Sequence, residues 1–299
     1  MSWQLRLLNM QLRLTVKRRL AKVPDVPTAR REFDRIAALT FCATPYMRHL
    51  ERPGGLHWIG AGPAQRGKVI LYFHGGGYIV GSPKTHQQML ARLSRLAGVE
   101  VCAPSYRLAP DNAFPAAIED AQAAWARLRA LGYGPKDIVI GGDSAGGGLA
   151  FALLADLCQR GEQPAAAFAL SPWTDLAMTG SSLMQNEASD PMLPAARIEE
   201  LVEYYLQGQD RRDPRASPLY ANYPGCPPLL LHCSKTEILR DDTLRLAEKL
   251  TGEGALVEVE TEDNAPHVWH LFDGWIPEAR ASLRSAARFV QASFEDTSR

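Results

Sequence analysis

The sequence predicts an α/β protein: a mostly parallel central sheet with helices on both faces and a helical cap. Three observations carry the prediction. Short apolar runs alternate along the chain with helical stretches of about 10 to 16 residues. The runs are apolar at every position instead of every second one, as strands covered on both faces must be. The connections between them hold whole helices, the length of chain that parallel neighbours require.

In order, Met1 to Val23 mixes Trp3, Leu5, Leu7, Leu8, Leu12, Leu14, Val16 and Leu20 with Arg6, Arg13, Lys17, Arg18 and Arg19. This pattern predicts an amphipathic helix packed on its own protein; a helix lying on a membrane and a transit peptide are the competing readings. A second helix spans Ala29 to Leu39, so two helices precede the first expected strand. That strand is Val69 to Phe73, ending at His74-Gly75-Gly76-Gly77. Thr85 to Ala97 is helical, with Met89, Leu90, Leu93 and Leu96 on one face. Val99 to Ala103 is a strand, and Ala116 to Leu131 is a helix stopped by Gly132 and Gly134-Pro135. Ile138 to Ile140 (strand), Gly146 to Arg160 (helix) and Ala166 to Leu170 (strand) follow. The rhythm then breaks from about Leu176 to Arg212, which is polar, holds one helix (Ala195 to Leu206) and contains no strand. It resumes with the strand Leu229 to Leu231, a helix from about Asp241 to Leu250, the strand Val257 to Glu262 and a helix near Pro277 to Ala292. Residues 1–45 and the 176–212 insertion are therefore expected to sit above the sheet as a cap on the main domain, 46–299.

Composition narrows the function. The 299 residues are 46% hydrophobic and 22% charged, which excludes disorder and fibrous architecture. Thirty-three basic and 33 acidic residues cancel, so a nucleic-acid partner is not expected. Five cysteines, an odd number without C-x-x-C spacing, read as free thiols in a cytoplasmic protein. No run approaches the 18 or so apolar residues of a membrane span, so stable membrane insertion is not expected.

The chemistry lies at strand ends. Gly142-Asp-Ser144-Ala-Gly146 fits G-x-S-x-G; it follows a strand and opens a helix, where a strained turn would hold Ser144 out over the sheet. A glycine-rich turn whose serine only caps the helix is the alternative. His74 to Gly77 ends another strand, and its consecutive glycines free backbone N–H groups to converge on one point. Gly75, Gly76 and Ala145 are the expected oxyanion-hole donors. A phosphate-cradling reading fails because Gly81-Ser-Pro-Lys-Thr85 lacks the Gly-Lys-Ser/Thr spacing. His74 itself is expected to pin the loop.

Of seven histidines, three follow Ser144, as the chain order Ser, acid, His requires. His232 lies in or at the end of a strand and reads as a core residue. His267 follows Val257 to Glu262 by a short loop, and it is the preferred base over His270. Glu237 is the first carboxylate past the strand Leu229 to Leu231; Asp241 and Asp242, at a helix start, are explained by the helix dipole alone. Glu237 is therefore the expected acid, with Asp241 in reserve.

Together the residues resemble the bacterial hormone-sensitive-lipase-like esterases of the α/β-hydrolase fold. The resemblance rests, in order, on His74 to Gly77, Ser105-Tyr-Arg-Leu-Ala-Pro110, Phe114-Pro115 with Glu119-Asp120, Gly142 to Gly147 and Ser171 to Leu176. It continues through Ser217-Pro218, Glu237-Ile-Leu239 with Asp241-Asp242, and Pro266 to His270. The family often has Asp-Pro-Leu where this chain has Glu237-Ile-Leu. The resemblance implies a serine esterase that needs no cofactor or metal and takes small-molecule esters of short to medium acyl chain. A lactone, an amide or an acetylated small molecule is the alternative substrate on the same site. A non-catalytic ligand-binding homologue is the other reading, disfavoured because Ser144, Glu237 and His267 all stand. Pairing of two copies through the edge strand 257–262 is a further expectation.

Overall fold

The computed structural model describes residues 1–295. Among these residues eight strands form one sheet: β1 (Met47–Arg52), β2 (Leu56–Ala61), β3 (Val69–Phe73), β4 (Glu100–Pro104), β5 (Ile138–Asp143), β6 (Ala166–Leu170), β7 (Leu229–Ser234) and β8 (Val257–Glu262). Their spatial order is β1-β2-β4-β3-β5-β6-β7-β8. β1 and β2 pair antiparallel, β2 runs antiparallel to β4, and every other pairing is parallel. The parallel core and its strands agree with the sequence expectation.

The hairpin β1–β2 does not: the sequence places no strand before Val69. β1 is Met-Arg-His-Leu-Glu-Arg at the sheet margin and is largely exposed, so no apolar run betrays it.

Ten α-helices among the described residues surround the sheet: α1 (Trp3–Leu12), α2 (Arg18–Leu20), α3 (Val26–Thr40), α4 (Pro83–Ala97), α5 (Ala116–Ala130), α6 (Ser144–Gln159), α7 (Ser182–Gln185), α8 (Ile198–Leu206), α9 (Arg240–Gly252) and α10 (Pro277–Glu295). Val69, Leu71 and Phe73 of β3 face one layer of core with Leu149 and Leu153 of α6 and Trp125 of α5. Ile70 and Tyr72 face the other, with Leu90 and Leu93 of α4 and Leu283 and Val290 of α10. Each residue of β3 is thus apolar whichever way it points, which removes the alternation from its sequence.

The register fixes where chemistry can happen. Phe73 lies beside Gly142, Asp143 beside Leu170, and Leu170 beside His232, so these strands end at one edge. After β3 the chain moves outward to β4, then returns to place β5 on β3's other side. Beyond these loops the chain therefore leads away from β3 and β5 in opposite directions and leaves a crevice at this edge, the usual ligand position in open α/β sheets.

The N-terminal segment folds back over this edge. Leu5 and Leu12 are buried, Ser2 donates to the Glu278 carboxylate, and a π-helical turn (Arg13–Lys17) leads into α2. Arg13 donates to the carbonyls of Ala188 and Ser189, and Lys17 to those of Glu187 and Asp190. No helix among the described residues is long and apolar enough to cross a membrane. All five cysteines are free thiols.

Candidate active site

Ser144 sits where β5 turns into α6 with φ +52°, a left-handed conformation that a non-glycine residue adopts only under constraint. The strand runs to Asp143 and the helix begins at Ser144 itself, two residues earlier than the sequence reading has it. Close backbone packing imposes the turn. A Cβ on Gly146 would lie 2.2 Å from the Phe73 carbonyl oxygen and 2.3 Å from that of His74. One on Gly75 would lie 2.2 Å from Asp143 Oδ2. The glycine pattern is thus the condition for bringing the β3 and β5 loops into contact. Asp143 and Ala145 are buried while Ser144 between them is partly open, so the turn presents the serine alone.

Asp143 anchors the turn from below. Its Oδ1 accepts from the Tyr72 hydroxyl at 2.9 Å, and its Oδ2 lies 3.3 Å from His86 Nε2. Burial pushes this carboxyl up, but the charge and hydrogen bond of His86 and the Tyr72 hydroxyl bring it below the ordinary carboxylate range.

His74 pins the glycine loop, as expected. Its Nδ1 donates to the Gly75 carbonyl at 2.8 Å, and its ring stacks on Tyr106 at 4.3 Å. The Tyr106 hydroxyl donates to the His74 carbonyl at 2.7 Å. Burial, with the neighbouring His86, lowers the His74 pKa to about 3, so the ring is neutral. The amides of Gly75, Gly76 and Ala145 meet no acceptor among the described residues; Gly75 and Gly76 line the cavity at Ser144, and Ala145 follows Ser144 directly in the chain.

His267 lies in the loop after β8 and is buried. Its Nδ1 is 2.7 Å from Glu237 Oε2, while the other carboxylate oxygen of Glu237 accepts from the Ser234 amide at 2.8 Å. Both oxygens are committed, which fixes the carboxylate and through it the imidazole tautomer. Nε2 of His267 has no hydrogen-bond partner among the described residues, and His267 lines the same cavity as Ser144. Ser144 and His267 thus share the cavity, but the structure does not close a hydrogen bond between them, a looseness common before substrate binds. Burial alone would lower the His267 pKa; the bond to Glu237 and its charge, helped by Asp190 and Asp143, outweigh it and leave the pKa raised.

The reserve residues have other work. Asp241 Oδ2 accepts from the Ser181 hydroxyl and the Ser182 amide, each at 2.8 Å, and Oδ1 pairs with Arg240. His270 Nε2 lies 2.9 Å from His232 Nδ1, and burial drives the His270 pKa well down. Both histidines are core residues.

Sequence reasoning missed the residues that hold the acid loop. Asn186 donates to the carbonyls of Glu237 (2.8 Å) and Lys235 (3.0 Å), and Ser189 donates to that of Thr236 at 3.0 Å. Asp190 Oδ2 accepts from the Ile238 amide at 3.0 Å, while its Oδ1 takes the amides of Met192 and Leu193. Ser171, itself at φ +52°, accepts from the Val268 amide at 3.3 Å and steadies the histidine loop. The only available signal at Asp190 is the following Pro191, which marks a turn.

A cavity of about 280 Å³ opens on Ser144 and His267. Its walls come from the glycine loop, from Leu8, Leu12 and Val16 near the N-terminus, and from Leu193 and Leu201 of the insertion.

A serine on a strained strand–helix turn, an imidazole held by a buried carboxylate, and unpaired amides beside them, all at one edge of this sheet, have the layout of an α/β hydrolase. Residues 70–271 match the family model described as alpha/beta hydrolase fold. An acetyl-hydrolase of Streptomyces hygroscopicus is 40% identical over 230 residues, 77% of each chain. An ethyl acetate hydrolase of Pseudomonas putida is 34% identical over 237 residues, 77% of this chain and 74% of its own. A solved esterase from the bacterial hormone-sensitive lipase family superposes with a TM-score of 0.92 at 36% identity, covering 98% of this chain and 99% of that one. The chain belongs to the α/β-hydrolase fold family, in its bacterial hormone-sensitive-lipase-like branch.

Proposed function

We propose that the protein is a carboxylic ester hydrolase that works on short- to medium-chain acyl esters through a serine acyl-enzyme. The observation that carries the reading is the pairing of His267 Nδ1 with Glu237 at 2.7 Å while Nε2 has no partner among the described residues and His267 lines the same cavity as Ser144. Ser144 Oγ attacks the ester carbonyl and its proton passes to His267 Nε2. The carbonyl oxygen becomes O⁻ and is met by the amides of Gly75, Gly76 and Ala145. As the tetrahedral intermediate collapses, His267 gives the proton to the departing alcohol, leaving acyl-Ser144. Water then repeats the sequence and releases the acid. Glu237 stays ionised and stabilises the imidazolium formed in each half.

The cavity supports the size class. About 280 Å³ falls just below the usual range for small-molecule pockets, roughly 300–1,000 Å³. Residues 1–45 and 176–212 serve in this reading as the cap that walls it. Rates on p-nitrophenyl esters from acetate to palmitate test the proposal. The fastest turnover is expected at the short and medium chains; a maximum at palmitate would indicate a lipase, and no turnover on any would overturn the reading.

The free enzyme must hold His267 neutral to accept the serine proton. Because its pKa is raised above the ordinary 6.5, kcat/KM should rise with pH along a limb whose midpoint lies above 6.5. A limb centred below that value would show that His267 is not the group that titrates.

A cytoplasmic setting belongs to the same proposal, since free thiols persist in reducing compartments. Self-association through β8 is proposed to be weak. The strand is an open sheet edge, but Glu258, Glu260 and Glu262 along it set like charges together.

A further inference from the structure

The segment that walls the cavity carries a second apolar face that the rest of the molecule leaves uncovered. Leu5, Leu8, Leu12 and Val16 turn inward to the core and the cavity. On the opposite side Trp3, Leu7, Met10 and Leu14 are 68%, 50%, 54% and 53% exposed. Their spacing of four, three and four residues puts them within about 60° of one another around a helix. A surface helix ordinarily gives that side to polar groups.

The side-chain charge carried by this segment itself has one sign. Residues 1–24 hold six of the chain's 33 Lys and Arg and none of its 33 Asp and Glu. The rest of the molecule therefore carries the balancing acidic excess, and the protein is electrically polar. Arg13 and Lys17 are engaged with carbonyls of the insertion. Arg6, Arg18, Arg19 and Lys22 remain exposed. Arg18, Arg19 and Lys22 line a shallow depression with Leu14 and Thr15, in which Glu32 is the one acid among the lining residues.

We propose that this face docks on an anionic phospholipid surface, with Trp3, Leu7, Met10 and Leu14 seated at the boundary of headgroups and acyl chains. The exposed cations then meet lipid phosphates. An exposed tryptophan on an apolar stripe with basic residues around it is the pattern that such interfaces favour. A second copy of the chain is a poorer occupant, because two such faces would bring three cations of each depression together against a single lining acid, Glu32. Docking in this orientation places the cavity wall within roughly one helix diameter, about 10 Å, of the lipid. An ester partitioned into the membrane would then have a short path to Ser144, a consequence that rests on the proposed ester hydrolysis.

Flotation of the whole protein with vesicles tests the docking without reading turnover, so its failure and failure of the hydrolase reading are distinguishable. Binding is expected to vesicles of equal parts phosphatidylglycerol and phosphatidylcholine, and to weaken with salt. A blue shift of tryptophan emission should accompany it and should shrink in Trp3→Phe. Replacing Arg6, Arg18 and Lys22 together by Gln should weaken binding about fivefold per charge, roughly 100-fold in all. Leu7→Ser with Met10→Ser and Leu14→Ser should abolish it, while both triple variants keep wild-type hydrolysis of soluble p-nitrophenyl acetate. Absence of binding to the anionic vesicles, or equal binding to pure phosphatidylcholine, would overturn the proposal. So would a wild-type dimer in light scattering that the serine variant dissolves, which would assign the face to a second copy.

Discussion

Replacing Ser144 by alanine is expected to lower kcat on p-nitrophenyl butyrate by roughly 10⁶-fold. The size follows from what the side chain does. With no Oγ there is no acyl-enzyme, and the reaction falls back on direct attack by water within a site that still offers its amides. That remainder should stay about 10³–10⁴-fold above the uncatalysed rate. The fold should not suffer, since Ser144 Oγ holds no structural position and the turn is fixed by the approach of Gly75 and Gly146 to neighbouring backbone. An unchanged melting temperature beside the lost activity is therefore part of the expected result. A loss under tenfold would remove Ser144 from the role.

Glu237→Gln carries the second largest effect, about 10⁴-fold in kcat by analogy with amide replacement of other triad acids. The substitution preserves shape and removes the charge. If the amide oxygen keeps the Ser234 N–H, the amide nitrogen faces His267 Nδ1 and donates to it. The imidazole must then carry its proton on Nε2, where it cannot accept one from Ser144. If the amide flips, its NH₂ confronts the Ser234 N–H and one buried donor is left without an acceptor. Either arrangement also withdraws the charge that raises the His267 pKa, so the acid limb of kcat/KM should move down. Retention of both rate and limb would mean that Glu237 is not coupled to the chemistry. Asp241 cannot substitute, because its carboxylate is taken up by Ser181, Ser182 and Arg240.

The gathering of Ser144, Glu237 and His267 at one edge was legible in the sequence for a common reason. Each follows a strand, unmistakably apolar before Ser144 and Glu237 and marked by two alternating valines before His267, and a parallel sheet delivers those loops to one edge. Gly75 and Gly76 were legible because consecutive glycines after a strand have few structural uses. The antiparallel hairpin was not, since β1 is an exposed marginal strand of mixed charge and β2 includes His57 and Gly60. Nor were Asn186, Ser189 and Asp190, which act through hydrogen bonds from an irregular segment about 50 residues away in sequence, as the contact from Asn186 to the Glu237 carbonyl illustrates. Such contacts leave no periodic trace. The inward face of α1 could be anticipated from its leucines, but the carbonyls that anchor Arg13 and Lys17 become visible only when the insertion is folded beneath them.

Labelling with a fluorophosphonate tests the convergence of these groups most directly. Ser144 Oγ would attack phosphorus, fluoride would leave, and His267 would take the hydroxyl proton. Intact mass measurement followed by peptide mapping should find one phosphonyl group per chain, on the peptide that contains Ser144, and Glu237→Gln should slow its attachment steeply. An unlabelled protein, or a label carried by any other side chain, would contradict the assignment of Ser144 as an activated nucleophile.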